Sequence, residues 1–141
     1  MPELLLTISY TFLISYSKVI KSPKMSDIGV KMQFDLFNYL EKSNSKAIIL
    51  DARYLLENPE EILKKLCDMI NIPYFEDMLE WERGPKEEDG VWAKYWYDNV
   101  HDSTSFLPYK KKNIHLNKDL ESLYQECLPY YNFLTEKSIK T

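Results

Sequence analysis

The sequence predicts an α/β fold in which helices surround a short parallel sheet. Residues 47–50 are four consecutive apolar residues without polar alternation, which is typical of a strand buried on both faces of a parallel sheet. A helical pattern precedes this strand over residues 30–40, and another follows it. Together with a strand predicted near the N-terminus, the order is strand, helix, strand, helix, which requires a right-handed parallel crossover.

The helix after the central strand has clear start and stop signals. Asn58 is a suitable N-cap, Pro59 fits the first helical position, and Glu61 lies three residues after the cap, as in a capping box. Asn71 and Pro73 end the pattern. One face of this helix is predicted to carry Ile62, Leu63, Leu66, Cys67 and Ile70.

The N-terminal residues 4–14 are strongly apolar. Glu3 stands where a signal sequence has positive charge, no small-residue cleavage site follows, and the run is too short to span a bilayer. A buried strand is therefore the favoured interpretation. Residues 11–14 are predicted as this strand, parallel and adjacent to residues 47–50, with the helix 30–40 crossing between them. A short helix is predicted to start at residues 18–22.

The second half of the chain is predicted to be less regular. Residues 75–81 suggest a short helix, and residues 82–92 contain two glycines, a proline and six charged residues, which indicates a surface loop. An aromatic-rich stretch follows around His101. The last helix is predicted over residues 117–134, kinked by Pro129.

Composition limits the function classes. The chain has 141 residues, enough for one domain, and its net charge of −4 argues against a general nucleic-acid binder. Cys67 and Cys127 lie on apolar helix faces, which predicts reduced thiols in a cytoplasmic protein. Two cysteines and two histidines without ligand spacing predict no metal site.

Few residues point to chemistry by themselves. Asp51, at the end of the central strand, either orients a ligand or caps the next turn. His101, next to Asp102, is interpreted as structural, and the hydroxyl cluster at 103–105 either caps a helix or holds an anion. The loop 83–90 either wraps a phosphate with backbone amides and two cations or is simply solvated.

Two stretches of the sequence resemble the sulfotransferase family. The first is Leu55-Leu56-Glu57-Asn58-Pro59-Glu60-Glu61-Ile62 through Leu66-Cys67 to Ile72-Pro73. The second combines Trp81, Gly84-Pro85-Lys86, Asp89-Gly90-Val91-Trp92, Tyr95-Trp96-Tyr97, Val100-His101, Ser103-Thr104 and Phe106. The resemblance covers about residues 10–134 and is most specific over residues 46–106.

The resemblance implies a three-layer P-loop-type α/β fold and the sulfate donor 3′-phosphoadenosine 5′-phosphosulfate (PAPS). Family members have a strand ending in Leu-Ile-Arg, then a helix with a serine eight positions after that arginine. The arginine and the serine bind the donor's 3′-phosphate. With residues 12–14 as the strand, Ser15 takes the arginine position and Ser22 the serine position. Lys86 and Gly90 resemble part of the loop that closes over the nucleotide. No catalytic residue is assigned.

The sequence also departs from the family pattern. Serine lacks the bidentate charged fork of arginine, and none of the three glycines follows a predicted strand, so no phosphate-binding loop is present. Residues 1–141 are therefore predicted to be one partial, truncated sulfotransferase-like domain that lacks the N-terminal phosphate-binding loop. Its ancestral reaction is sulfuryl transfer from PAPS to a hydroxyl or amine, inactive in this chain.

The alternative is a non-catalytic interaction or binding domain, or a gene fragment, that retains part of the fold. The partners expected are a small-molecule acceptor and either a second copy or another protein covering an exposed sheet edge. Neither a nucleic acid nor a membrane is expected as a partner.

Overall fold

The computed structural model describes residues 4–8, 12–110 and 115–141. Among these residues helices predominate, and two strands form a small sheet. In chain order the elements are β1 (Leu4–Ile8), α1 (Phe12–Val19), α2 (Met25–Ile28), α3 (Val30–Lys42), β2 (Ala47–Asp51), α4 (Ala52–Glu57), α5 (Pro59–Met69), a 3-10 turn (Glu76–Met78), α6 (Ala93–Trp96), α7 (Asp98–His101) and α8 (Lys118–Glu136).

The two strands pair in parallel, as predicted, but the first strand is not the predicted one. β1 pairs with β2 in a register that runs from Leu4 opposite Ala47 to Ile8 opposite Asp51, and α3 lies between them in the sequence. The prediction of a strand at residues 11–14 is wrong, because residues 12–14 belong to α1 and Thr11 lies outside the described residues. The apolar run contains both a strand and the start of a helix, which hydrophobicity alone cannot separate.

Both faces of β2 are buried, as the sequence predicted. Ile48, Ile49 and Leu50 are each less than a tenth exposed. Ile49 packs in a cluster with residues of α1, α2, α3 and α8, whereas Ile48 and Leu50 pack against α5. Because successive side chains of a strand point to opposite faces, helices cover both sides of β2, and the fold is α/β.

Helices α3 and α8 pack through aromatic rings. The ring of Phe34 meets Tyr130 and Phe133 edge to face, with centroids 5.1 and 5.0 Å apart. Phe37 meets Phe133 at 5.8 Å in the same arrangement. Edge-to-face pairs of this kind add to the burial of apolar area. Leu134, with no exposed surface, completes the contact with the sheet.

The predicted start and end of the helix within residues 58–73 are confirmed, but the Asn58 backbone amide donates to the Tyr54 carbonyl and not to Glu61, so only half of the predicted capping box forms. Asn58 Oδ1 accepts a long hydrogen bond from the Glu61 amide at 3.5 Å, and Asn58 Nδ2 donates to Glu61 Oε2 at 2.9 Å. Ile62 and Cys67 are buried on the predicted face, whereas Ile70 lies beyond the helix end and is exposed. Cys67 and Cys127 form no disulfide.

The other helix predictions vary in accuracy. The helix at 30–40 is α3, and it follows Gly29, whose positive φ of 79° ends α2. The helix at 117–134 is α8, with Asn117 Oδ1 accepting from the Leu120 amide at 2.9 Å. Only the 3-10 turn occupies residues 75–81, and α1 ends at Val19, so the helix expected at 18–22 is wrong. The kink at Pro129 stays a prediction.

The C-terminal segment covers part of the outer edge of β2. The Ile139 amide donates to the Ile49 carbonyl at 2.9 Å, and the Ile139 side chain is buried with Ile48 and Leu50. Lys65 Nζ donates to the Lys140 carbonyl at 2.7 Å. The edge of β2 away from β1 is therefore partly covered by the chain itself.

Candidate functional site

Asp51 lies at the carboxyl edge of the sheet, where open α/β sheets bind their ligands. Its side chain is fully buried. Its carboxylate accepts hydrogen bonds from the Arg53 amide at 2.9 Å, the Tyr131 hydroxyl at 2.7 Å and the Thr135 hydroxyl at 2.5 Å. Burial raises the pKa of Tyr131, which keeps that hydroxyl protonated as a donor. Of its two predicted roles, Asp51 therefore has the capping one, and it also links β2 to α8.

Arg53 brings a cation to the same edge, and sequence reasoning did not single it out. Its guanidinium lies over the ring of Tyr54, 4.5 Å from the ring centroid. Its Nε is 3.7 Å from Glu57 Oε1, and the side chain is 37% exposed. Since Ile8 pairs with Asp51, Arg53 follows closely after the point where both strands end. It is thus a partly exposed, stacked cation beside the expected ligand edge.

The predicted donor-binding serines do not occupy the structural positions on which that prediction relied. Ser15 lies inside α1 instead of directly after a strand, and it precedes Ser22 by seven residues instead of eight. Ser22 is exposed beyond the end of α1. In the sequence Ser9, which lies outside the described residues, directly follows β1, and Ser17 lies eight residues later on α1. Ser17 Oγ donates to the Ile14 carbonyl at 2.8 Å.

Lys86 and Gly90 lie on the surface loop that the sequence predicted. Asp89 Oδ2 accepts from the Lys86 amide at 2.8 Å and lies 2.7 Å from His101 Nε2. The Lys86 amide and then His101 lower the pKa of Asp89. The Lys86 side chain is exposed, and its Nζ lies 3.4 Å from Glu82 Oε2. No hydrogen bond or ion pair in the described part of the chain joins Ser22 to this loop.

The loop is anchored to the segment that follows it. The Gly84 amide donates to the His101 carbonyl at 2.9 Å, and Arg83 donates through Nε and Nη2 to the Asp102 carbonyl at 3.1 and 2.8 Å. The indole of Trp81 donates to Ser103 Oγ at 3.2 Å. Ser103 Oγ in turn donates to the Val100 carbonyl at 2.8 Å. The His101 side chain therefore contacts Asp89, not the neighbouring Asp102. The Ser103 hydroxyl is hydrogen-bonded to Trp81 and Val100 of the same region.

An exposed apolar surface follows the loop. Val91, Trp92 and Tyr95 are 78%, 68% and 60% exposed, and Tyr97 and Val100 are also exposed. Trp92 and Tyr95 have ring centroids 6.4 Å apart. We call these five residues the aromatic surface. Neighbouring exposed apolar groups, such as the rings of Trp92 and Tyr95, mark interaction or ligand-binding sites more often than scattered exposed residues do.

In residues 4–8, 12–110 and 115–141, no three or more histidine, cysteine and carboxylate side chains lie together as metal ligands would. Over the same ranges, every helix is too short or too polar to cross a bilayer.

The fold and these residues define an α/β protein with candidate anion-binding groups at the ends of its parallel strands and on an anchored loop. Residues 7–138 match the family model described as "Sulfotransferase domain". The chain therefore belongs to the sulfotransferase domain family. No solved structure matches it significantly.

Two curated relatives come from Arabidopsis thaliana. The chain is 36% identical over 120 residues to branched-chain-amino-acid aminotransferase-like protein 1, and 35% identical over 120 residues to branched-chain-amino-acid aminotransferase-like protein 2. Each alignment covers 85% of this chain but 21% of the relative. The chain thus spans about a fifth of the length of these relatives.

Proposed function

We propose that this chain is the part of a PAPS-dependent sulfotransferase that binds the 3′-phosphate end of the donor, within a three-layer P-loop-type fold. The observation that carries the proposal is the anchored loop with Lys86 and Gly90, in a chain whose residues 7–138 match the sulfotransferase domain. The ancestral reaction moves a sulfuryl group from PAPS to a hydroxyl or amine acceptor. Such a reaction depends on positioning and on electrostatic stabilisation of the transferred group.

Within this proposal Ser9 and Ser17 replace Ser15 and Ser22 as the 3′-phosphate residues. Ser9 directly follows the strand that ends at Ile8, and Ser17 lies on the next helix at the family spacing of eight residues. A hydroxyl rotates readily, so Ser17 Oγ can exchange its bond with the Ile14 carbonyl for a phosphate oxygen. Arg53, at the same edge, supplies a positive charge that serine at position 9 does not.

A second candidate function is that of a non-catalytic interaction domain. The aromatic surface supports it, because Val91, Trp92 and Tyr95 are each more than half exposed within five residues. In that case the domain retains the family fold and contacts a protein partner or a second copy. The same surface also suits a small-molecule acceptor, since aromatic side chains line many ligand sites.

Amide chemical shifts measured by NMR with two nucleotides test the main proposal. Adenosine 3′,5′-bisphosphate is expected to shift the amides of Gly84, of residues 86–90 and of Ser17, and adenosine 5′-monophosphate, which lacks the 3′-phosphate, is expected to shift them less. Lys86→Ala should weaken the bisphosphate response, whereas Lys118→Ala, an exposed lysine of α8, should not. Equal responses to both nucleotides, or none at either segment, would contradict the proposal.

A Ser9→Arg substitution tests the assignment of Ser9 and Ser17 as the 3′-phosphate residues. A hydrogen bond to a charged group contributes roughly 1.5–3 kcal/mol, so the new arginine should tighten bisphosphate binding by at most about ten- to a hundredfold. Ser15→Arg is the matched control, because it adds the same charge within α1, six residues away in the sequence. If Ser15→Arg tightened binding and Ser9→Arg did not, Ser15 and Ser22 would be the 3′-phosphate residues instead of Ser9 and Ser17.

A further inference from the structure

One residue, His101, holds the loop that carries Lys86 at both ends. Its carbonyl accepts a hydrogen bond from the Gly84 amide at 2.9 Å, where the loop begins. Its ring Nε2 lies 2.7 Å from Asp89 Oδ2, where the loop ends. The two side chains are 22% and 21% exposed, so this contact is mostly shielded from water.

His101 is itself fixed in place by the short helix that carries it. Its amide donates to the Tyr97 carbonyl at 2.7 Å. Its ring meets the Tyr97 ring edge to face, with centroids 6.0 Å apart and an interplanar angle of 76°. The imidazole therefore has a defined orientation toward Asp89.

Asp89 transmits this anchoring to the residues assigned to the donor. The same oxygen, Oδ2, accepts from the Lys86 amide at 2.8 Å, and the Asp89 amide donates to the Lys86 carbonyl at 3.1 Å. These two bonds close a tight turn over residues 86–89. The position of the Lys86 backbone thus depends on the carboxylate that His101 holds.

We propose that His101 is a positioning residue for donor binding: through Asp89 it fixes the turn that presents Lys86 and Gly90 to a phosphate. The identity of the ligand in this proposal rests on the proposed function, whereas the effect of His101 on the loop does not. His101 itself does not contact the donor. It acts by restricting the loop, so that less conformational entropy is lost when a phosphate is bound.

The loop effect is tested first, without ligand, by hydrogen exchange. His101→Ala removes the ring but leaves the backbone bond to Gly84, and it should speed exchange of the Lys86 and Asp89 amides by about threefold or more. The Gly84 amide is an internal reference that should change less. His101→Gln restores an N–H donor at a similar reach and should return exchange to near the wild-type rate. His115→Ala, the other histidine and an exposed one, is the control.

Ligand binding is then measured with adenosine 3′,5′-bisphosphate on the same variants. His101→Ala should weaken bisphosphate binding by about the factor by which it speeds amide exchange in the loop, and His101→Gln should largely restore binding. Asp89→Asn should also speed amide exchange in the loop and weaken binding. Adding His101→Ala to Asp89→Asn should change either quantity little further, because the two substitutions break the same contact between His101 and Asp89.

The outcomes separate this inference from the proposed function. Unchanged exchange in His101→Ala overturns the inference whatever the ligand result. Faster exchange with unchanged bisphosphate affinity also overturns it, and leaves the proposed function standing. If the wild-type chain gives no nucleotide response while exchange rises in His101→Ala and recovers in His101→Gln, the proposed function fails and the anchoring of the loop by His101 is supported.

Discussion

The hydroxyl group of Tyr131 donates a 2.7 Å hydrogen bond to Oδ2 of Asp51, across 80 residues of sequence. This contact joins the last helix to the end of the central strand. Asp51 is fully buried and Tyr131 is 8% exposed, so the bond forms where an unpaired polar group is costly. The pair therefore fixes α8 against the carboxyl edge of the sheet, next to the proposed donor site.

Removing the Tyr131 hydroxyl should destabilise the fold. Tyr131→Phe keeps the ring but leaves the buried carboxylate with one donor fewer, and we expect a loss of about 1–3 kcal/mol in the free energy of unfolding. Chemical denaturation followed by circular dichroism measures it. Tyr130→Phe is the control, because its ring contact with Phe34 at 5.1 Å remains. Equal stability of Tyr131→Phe and wild type would show that this hydrogen bond makes no net contribution to the free energy of unfolding.

The free energy of unfolding at high pH should also depend on the Tyr131 hydroxyl. Burial raises the pKa of Tyr131 above its ordinary value of 10.0, so its stabilising contribution is fully present below pH 10.0 and is lost as the pH rises toward the folded-state pKa. Above about pH 10 the wild-type free energy of unfolding should therefore fall more steeply than that of Tyr131→Phe, by up to about 1.4 kcal/mol per pH unit. Tyr130→Phe should keep the wild-type slope. Parallel slopes for wild type and Tyr131→Phe would contradict the prediction.

How much of the fold the sequence predicts depends on whether its signals are local. The strand β2, the cap at Asn58 and the helix Pro59–Met69 were predicted correctly because their signals lie within a few residues of one another. The first strand was misplaced because residues 4–14 are mostly apolar, and hydrophobicity alone does not separate β1 from α1 within such a run. With the strand at residues 4–8, the residue directly after it in the sequence is Ser9 and not Ser15.

The side-chain contacts of the site required the structure. The partners of Asp51 lie 80 and 84 residues away on α8, and nothing in the sequence pairs them. His101 contacts Asp89, twelve residues earlier, instead of the adjacent Asp102, because the loop folds back through the Gly84 bond. The loop itself was predicted from its glycines, proline and charges, but its anchoring was not.

Acidic pH should release the loop of residues 84–89. The pKa of Asp89 is lowered from 3.8, first by the Lys86 amide and then by His101. Its contribution is therefore present above pH 3.8 and is lost as the pH falls through the lower folded-state value. An NMR titration of the Asp89 carboxyl carbon should have its midpoint below 3.8. His101→Ala should move the midpoint upward without fully restoring 3.8, whereas His115→Ala should not move it. A wild-type midpoint at or above 3.8 would contradict the prediction.

The aromatic surface should cause self-association. Trp92 and Tyr95 expose 68% and 60% of their surfaces, and burying them between two copies removes apolar area from water. Sedimentation equilibrium should show mass rising with protein concentration, and Trp92→Ser with Tyr95→Ser should reduce it. Tyr39→Ser is the control, since Tyr39 is 67% exposed on α3, outside this surface. A monomer at all concentrations would contradict the prediction and favour an acceptor or another protein as the ligand of this surface.

Sulfuryl transfer by these 141 residues alone should be undetectable. Loops that bind phosphate groups through backbone amides after a strand are rich in glycine. In this sequence Ser9 follows β1, Ala52 follows β2, and the three glycines are Gly29, Gly84 and Gly90. Transfer from labelled PAPS to hydroxyl and amine acceptors measures the activity, and the NMR response to the bisphosphate separates a failure to bind from a failure of chemistry. We expect turnover only when a glycine-rich phosphate-binding segment is fused ahead of β1, and Lys86→Ala should reduce it in that fusion. Turnover by the unmodified chain would show that its own residues grip the phosphosulfate in another way.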